Sequence, residues 1–102
     1  MMQKAARAGE LPFVLVATME DRQLMHDKKP QVYGTQGACR PLRDNPDATE
    51  CFIWPIDKPE TVNRRRRKAG FTNSVQENAK RLEIRYKSLT MQQVKQRYVL
   101  GD

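Results

Sequence analysis

The segment Lys29-Pro30-Gln31-Val32-Tyr33-Gly34-Thr35-Gln36-Gly37 carries two glutamines, a tyrosine and a threonine in a run that otherwise looks like a strand. Pro30 biases Lys29 toward an extended conformation and ends whatever helix precedes it. A strand is therefore expected from Gln31 to about Arg40. Alternation would put Gln31, Tyr33, Thr35 and Gly37 on one face and Val32, Gly34, Gln36 and Ala38 on the other. Glycines at 34 and 37 mark a bulge or a close backbone approach, so the segment reads as a polar pocket wall.

Downstream, Pro41 to Thr49 contains Asp44-Asn45-Pro46-Asp47, a cluster of turn formers. Glu50 to Ile56 reads as a returning strand with Phe52, Trp54 and Ile56 on one face, and the two strands make an antiparallel hairpin. If Arg40 pairs with Glu50, paired positions sum to 90. Cys39 then faces Cys51, within disulfide range. The two cysteines have no zinc spacing and leave the redox compartment open.

Upstream, residues 1–8 favour helix and Gly9 is placed to end it. Pro12 can open a second helix over roughly 12–28, with Phe13, Val16, Ala17 and Leu24 at helical spacing. After the hairpin, Asp57-Lys58-Pro59-Glu60 suggests an Asp57 N-cap for a third helix over 58–69, stopped by Gly70. Asn73 or Ser74 caps the next, where Val75, Ala79, Leu82, Tyr86 and Leu89 form one apolar stripe. Thr90 and Gln93 form a further capping box, so the helix breaks or bends before residues 91–98.

The expected fold is thus a small α+β domain of 102 residues with helices flanking a two-stranded antiparallel hairpin. Residues 72–102 read as a C-terminal helical extension. Charge is uneven: residues 58–102 hold twelve Lys/Arg and four Asp/Glu, net +8, whereas residues 1–57 hold seven and eight, net −1. No apolar run approaches the ~20 residues of a spanning helix. No membrane association is expected, and a cytoplasmic location is favoured.

The combination Ala6-Arg7-Ala8-Gly9-Glu10, Asp21-Arg22, Lys29-Pro30-Gln31, Tyr33-Gly34-Thr35-Gln36, Pro55-Ile56-Asp57 and Arg65-Arg66 with Gly70 resembles a bacterial family of uncharacterised function. Its members carry DR, PQ-x-YGTQ, PI-x-D and RR-x-x-x-G motifs. The resemblance covers about residues 5–71. Members also carry an upstream helical segment with a His-Ala-Asp-like motif that nothing here matches, which implies a chain shortened at its start. Asn63 stands where the family has an acidic residue, and Arg64 and Arg67 add charge beyond the recognised pair. The resemblance implies sites and no reaction.

Those sites are Asp21, Arg22, Gln31, Tyr33, Gln36, Arg65 and Arg66, expected to line a polar cluster that takes a small anionic ligand or is the remnant of a catalytic centre. Val62 and Ala69 mark the buried side of the third helix, so Arg65 and Arg66 turn toward the core while Arg64, Arg67 and Lys68 lean outward. An inward guanidinium needs an acceptor, and a bidentate pair with Asp21 is expected. His26, the lone histidine, is the nominal proton-transfer group near neutral pH, but a solvent-facing role is favoured. A nucleic-acid-binding module is the alternative, using Arg64, Arg67, Lys68, Lys80, Arg81, Arg85 and Lys87. A third reading is a subunit of a larger assembly, with the 75–89 stripe packing on a second copy. No metal-ligand spacing, phosphate loop or nucleophile motif is present, and no cofactor is expected.

Overall fold

The computed structural model describes residues 13–100. Helix α1 (Phe13–His26) is followed by an irregular segment, then β1 (Gly37–Pro41) and β2 (Thr49–Ile53). A 3-10 turn over Pro59–Thr61 leads into α2 (Val62–Ala69), then α3 (Val75–Arg81) and α4 (Met91–Arg97). The α+β class and the hairpin stand as the sequence suggests. The proposed helix over residues 1–8 lies outside the described residues.

The hairpin register follows the rule that paired positions sum to 90: Arg40 faces Glu50, and Cys39 faces Cys51 with Cα atoms 3.9 Å apart and a disulfide between them. Beyond the second strand the chain stays buried from Phe52 to Ile56, and its side chains divide between two cores. Phe52 and Trp54 join Ala38, Val94 and Tyr98. Ile53 and Ile56 join Val62, Val75 and Ala79. The end of β2 is therefore covered on both faces, at Phe52 and Ile53, which helps a hairpin whose two strands alone are marginal in water. After α4 the chain returns beside β1 through a Leu42–Tyr98 bridge, with the Arg43 and Val99 N–H groups donating to Arg97 and Pro41 oxygens. This covers the β1 edge.

Several local expectations are corrected. Residues 31–36 are not strand: the N–H groups of Val32 and Tyr33, which would point in opposite directions in a strand, turn onto one carboxylate, and Gly34 has φ +69°. The 58–69 helix begins only at Val62 and takes no cap from Asp57 or Glu60, because Lys58 is left-handed and a 3-10 turn intervenes. Gly70, at φ 101°, does end α2, and its N–H reaches the Arg66 and Arg67 carbonyls.

Ser74 and Thr90 both form full capping boxes, with Glu77 and Gln93. The 75–89 stripe does not share one helix. Helix α3 stops at Arg81 and Glu83 has φ 63°, so Val75 and Ala79 enter one core while Leu89 packs on the other. Val75 at 0% and Ala79 at 1% exposure are taken up by the chain's own core, while Leu82 stays exposed at 38%.

Candidate functional site

Helix α1 buries one face, and Ala17 and Asp21, one turn apart, are its two fully enclosed residues. Asp21 lies beneath the 31–36 segment. Its Oδ1 accepts the Val32 N–H at 2.8 Å and the Tyr33 N–H at 3.1 Å. Its Oδ2 accepts the Thr35 N–H at 3.1 Å and the Thr35 hydroxyl at 2.9 Å. A carboxylate with no exposure is thus satisfied by backbone and hydroxyl donors, the arrangement a buried charge requires.

The carbonyl side of the same segment is taken by cations and an amide. Arg65 Nε donates to the Val32 oxygen at 3.0 Å, Arg66 Nη1 to the Tyr33 oxygen at 2.7 Å, and Asn78 Nδ2 to the Gly34 oxygen at 3.2 Å. The expected bidentate pairing of Asp21 with Arg65 or Arg66 is therefore corrected. Peptide groups stand between the charges, presenting N–H groups to the carboxylate and oxygens to the guanidinium groups. Placed this way, the backbone of a non-repetitive segment is hydrogen-bonded without a strand partner.

Gln31, also fully enclosed, closes the segment from its other end. Its Nε2 donates to the Trp54 oxygen at 2.8 Å and the Gln36 oxygen at 3.0 Å, while its Oε1 accepts the Gln36 N–H at 2.9 Å. The Trp54 indole N–H in turn donates to the Lys29 oxygen at 2.8 Å. Gly34 is fixed by contact as well as by its positive φ, because a Cβ there would lie 2.6 Å from Val75 Cγ2 and 3.0 Å from Ile56 Cδ1.

Of the sequence-derived residues, Asp21, Gln31, Tyr33, Gln36, Arg65 and Arg66 meet at this segment, whereas Arg22 and His26 lie exposed on α1. Asp21 and Gln31 have no exposure to solvent. Tyr33 and Arg65 border a shallow recess with Phe13 and Lys68, and burial first, then the charges of Glu20 and Asp21, push the Tyr33 phenol above its ordinary pKa. Arg66 is 1% exposed and carries three further groups: the Asn73 oxygen at Nε, the Asn73 Oδ1 at Nη2, and the Phe71 ring 4.4 Å from its guanidinium carbon. Burial lowers its pKa, and Asp21 partly offsets that.

Arg66 also borders a cleft of about 380 Å³ with Thr18, Thr35, Asn73, Asn78 and Arg81. Arg81 is exposed and donates through Nη2 to the Asn78 Oδ1 at 2.8 Å. Two cations thus share one concavity. Asn78 and Asn73 are the functional-site residues that sequence reasoning passed over. Asn78 was detectable, because it shares a helical face with Val75 and Ala79, where a polar residue must have partners.

The alternative basic set is spread over different surroundings. Arg64, Arg67 and Lys80 are exposed on α2 and α3, and Lys68 borders the Tyr33 recess. Arg81 borders the Arg66 cleft, and Arg85 and Lys87 border a third cleft beside Glu50 and Cys51. Among the described residues no group of three or more His, Cys, Asp or Glu could hold a metal, and no helix is long and apolar enough to cross a membrane. No protein-family model, curated protein or solved structure matches the chain.

Proposed function

We propose that the chain binds a small anion, of the carboxylate or phosphate class, in the cleft bordered by Arg66 and Arg81. The observation that carries this reading is the state of Arg66: an enclosed guanidinium whose hydrogen bonds go to carbonyl and amide oxygens, with a second guanidinium on the same cleft. Arginine presents five N–H donors in a fixed fork, and Arg66 uses three nitrogens on protein oxygens while keeping donor capacity at both terminal nitrogens. The nearby Arg81 charge lowers the Arg66 pKa, so an anion between them would relieve that repulsion. Planar bidentate capture of an oxyanion is what such groups do well.

The test is calorimetric titration with inorganic phosphate and with citrate at constant ionic strength. Saturable binding that Arg81→Gln weakens at least about tenfold, one full step of 1.4 kcal/mol, supports the reading. Heats no larger than those of chloride dilution, or binding indifferent to Arg81→Gln, reject it. Arg81 is exposed but holds Asn78, which in turn holds the Gly34 oxygen, so the melting temperature of Arg81→Gln is measured alongside.

A second reading, nucleic-acid binding, is favoured by the net charge of +8 in residues 58–102 and by the exposure of Arg64, Arg67, Lys68 and Lys80. Phosphate contacts make affinity fall linearly in log–log coordinates as salt rises. Titrating random oligonucleotides across salt concentrations decides it: steep dependence supports this module, and no binding at low salt removes it.

A further inference from the structure

The disulfide joins β1 to β2 within the hairpin. Cys39 and Cys51 are both exposed. Cys51 borders a cleft of about 330 Å³ that Arg85, Lys87 and Arg97 also border, together with Glu50 and Tyr98. Cys39 does not border it.

The charges facing Cys51 are three cations against one carboxylate. Glu50 is committed: Arg97 Nη2 donates to both of its oxygens at 3.0 Å and the Tyr98 hydroxyl donates to Oε1 at 2.9 Å. Arg85 and Lys87 reach the cleft from the irregular chain between α3 and α4, and Lys87 is near enough to help hold the Glu50 carboxyl below its usual range. The cleft beside the exposed sulfur is therefore electropositive.

We propose that Cys51 is a thiol–disulfide exchange site selective for low-molecular-weight thiols that carry carboxylates, of which glutathione is the representative. The thiolate of the incoming molecule attacks the Cys51 sulfur. A new S–S bond forms there, the Cys39–Cys51 bond breaks, and Cys39 leaves as thiolate and takes up a proton. A second anionic thiol then attacks the sulfur of the small thiol in the mixed disulfide and releases Cys51 as thiolate, which is protonated in turn. Two small thiols are oxidised to their disulfide and the protein disulfide is reduced to two thiols, so atoms and electrons balance. Exchange rates depend on which sulfur is attacked and on access to it. Both cysteines are exposed, so the charged cleft is what favours Cys51: the carboxylates of the incoming thiol find Arg85 and Lys87 while its sulfur approaches the bond.

The experiment measures reduction of the full chain by glutathione, 2-mercaptoethanol and cysteamine, which are anionic, neutral and cationic. Each rate is normalised to the same thiol acting on bis(2-hydroxyethyl) disulfide. At low ionic strength the normalised glutathione rate is expected to exceed that of cysteamine on the order of tenfold, the lower end of electrostatic focusing in a charged cleft. In about 1 M salt the preference should collapse, since the Debye length there is about 3 Å. The double variant Arg85→Gln/Lys87→Gln should lose the advantage of glutathione over cysteamine, with the 2-mercaptoethanol rate falling less than the glutathione rate because its attacking thiolate carries fewer negative charges. Acid quenching and peptide mapping should place the glutathione adduct on Cys51. Equal normalised rates for the three thiols, an advantage retained by the double variant, or an adduct found chiefly on Cys39 would each overturn the assignment.

Discussion

Asp21 and Arg22 are neighbours on α1 with opposite surroundings, one fully enclosed and the other exposed. The Asp21 carboxylate holds three backbone N–H groups and one hydroxyl. Asp21→Ala leaves those four half-buried donors without their acceptor. Each unsatisfied buried group costs about 1–3 kcal/mol, so the change is expected to exceed about 3 kcal/mol and to sit in the tail of point-mutant effects. Arg22→Ala should stay within about 0.5 kcal/mol. Urea denaturation of both variants checks the contrast, and comparable losses would contradict the role given to Asp21. A second single-residue test is Gly34→Ala. The added methyl would meet Val75 Cγ2 at 2.6 Å on a backbone with φ +69°, and neither the side-chain clash nor the left-handed strain can be relieved by moving solvent. A loss of about 1–3 kcal/mol is expected from thermal melts.

At the scale of elements, the 31–36 segment is the one whose shape is imposed from outside. Its length and its β-prone Val32 and Tyr33 suggest a strand, yet no neighbouring strand supplies a ladder over 32–35. Asp21, eleven to fourteen positions earlier, and Arg65, Arg66 and Asn78, thirty or more positions later, take that part instead. Pattern rules act over a few residues and cannot register such donors and acceptors. The hairpin register, a cap at Asn73 or Ser74, the capping box at Thr90 and the stop at Gly70 were legible because their causes are local. The long 75–89 stripe was misread because spacing cannot show that Glu83 turns left-handed. Likewise, the Asp57-to-Glu60 pattern could not show that Lys58 does. Of the seven residues named from the sequence all but Arg22 converge there, whereas Asn78 was passed over and the geometry was not readable. The two glutamines separate accordingly. Gln31 uses both ends of its amide on buried backbone, whereas the Gln36 side chain donates to the Thr35 hydroxyl at 3.0 Å in a half-buried position. Gln31→Leu should cost about 2–3 kcal/mol and Gln36→Leu less than about 1 kcal/mol. Chemical denaturation giving the opposite order would shift the weight of the segment to Gln36.

Across the whole molecule, β2 joins two cores that have different polar neighbours. The Phe52–Tyr98 core ends in a network at the surface: the rings stack with centroids 4.2 Å apart, and the Tyr98 hydroxyl donates to Glu50, which Arg97 also engages. This network ties the C-terminal end of α4 to the hairpin, so its protonation bears on the docking of α4 rather than on one side chain. The hydrogen bond from Tyr98, then that from Arg97, holds the Glu50 carboxyl below its usual pKa. A group whose folded pKa is depressed contributes stability above its unfolded pKa and loses it as pH falls through the folded one. Tyr98 is displaced upward, first by burial and then by its bond to Glu50. Its contribution is fully present below the ordinary phenol pKa of about 10 and is lost as pH rises through the folded value. Stability should therefore decline on both the acid and the alkaline side, through Glu50 on the first and through Tyr98, with Tyr33 and Tyr86, on the second. In urea-unfolding midpoints measured across pH, Glu50→Gln should flatten the acid limb below about pH 5 and leave the alkaline limb sloping. Tyr98→Phe keeps the stacked ring and removes the ionisable hydroxyl, so it should make the alkaline limb shallower, with the burial-raised Tyr33 and Tyr86 phenols supplying the rest. It should also weaken the acid limb, because Glu50 loses its main hydrogen-bond donor. If Tyr98→Phe leaves the acid limb unchanged, Glu50 and Tyr98 titrate independently and the proposed coupling of α4 docking to the hairpin through this network is wrong.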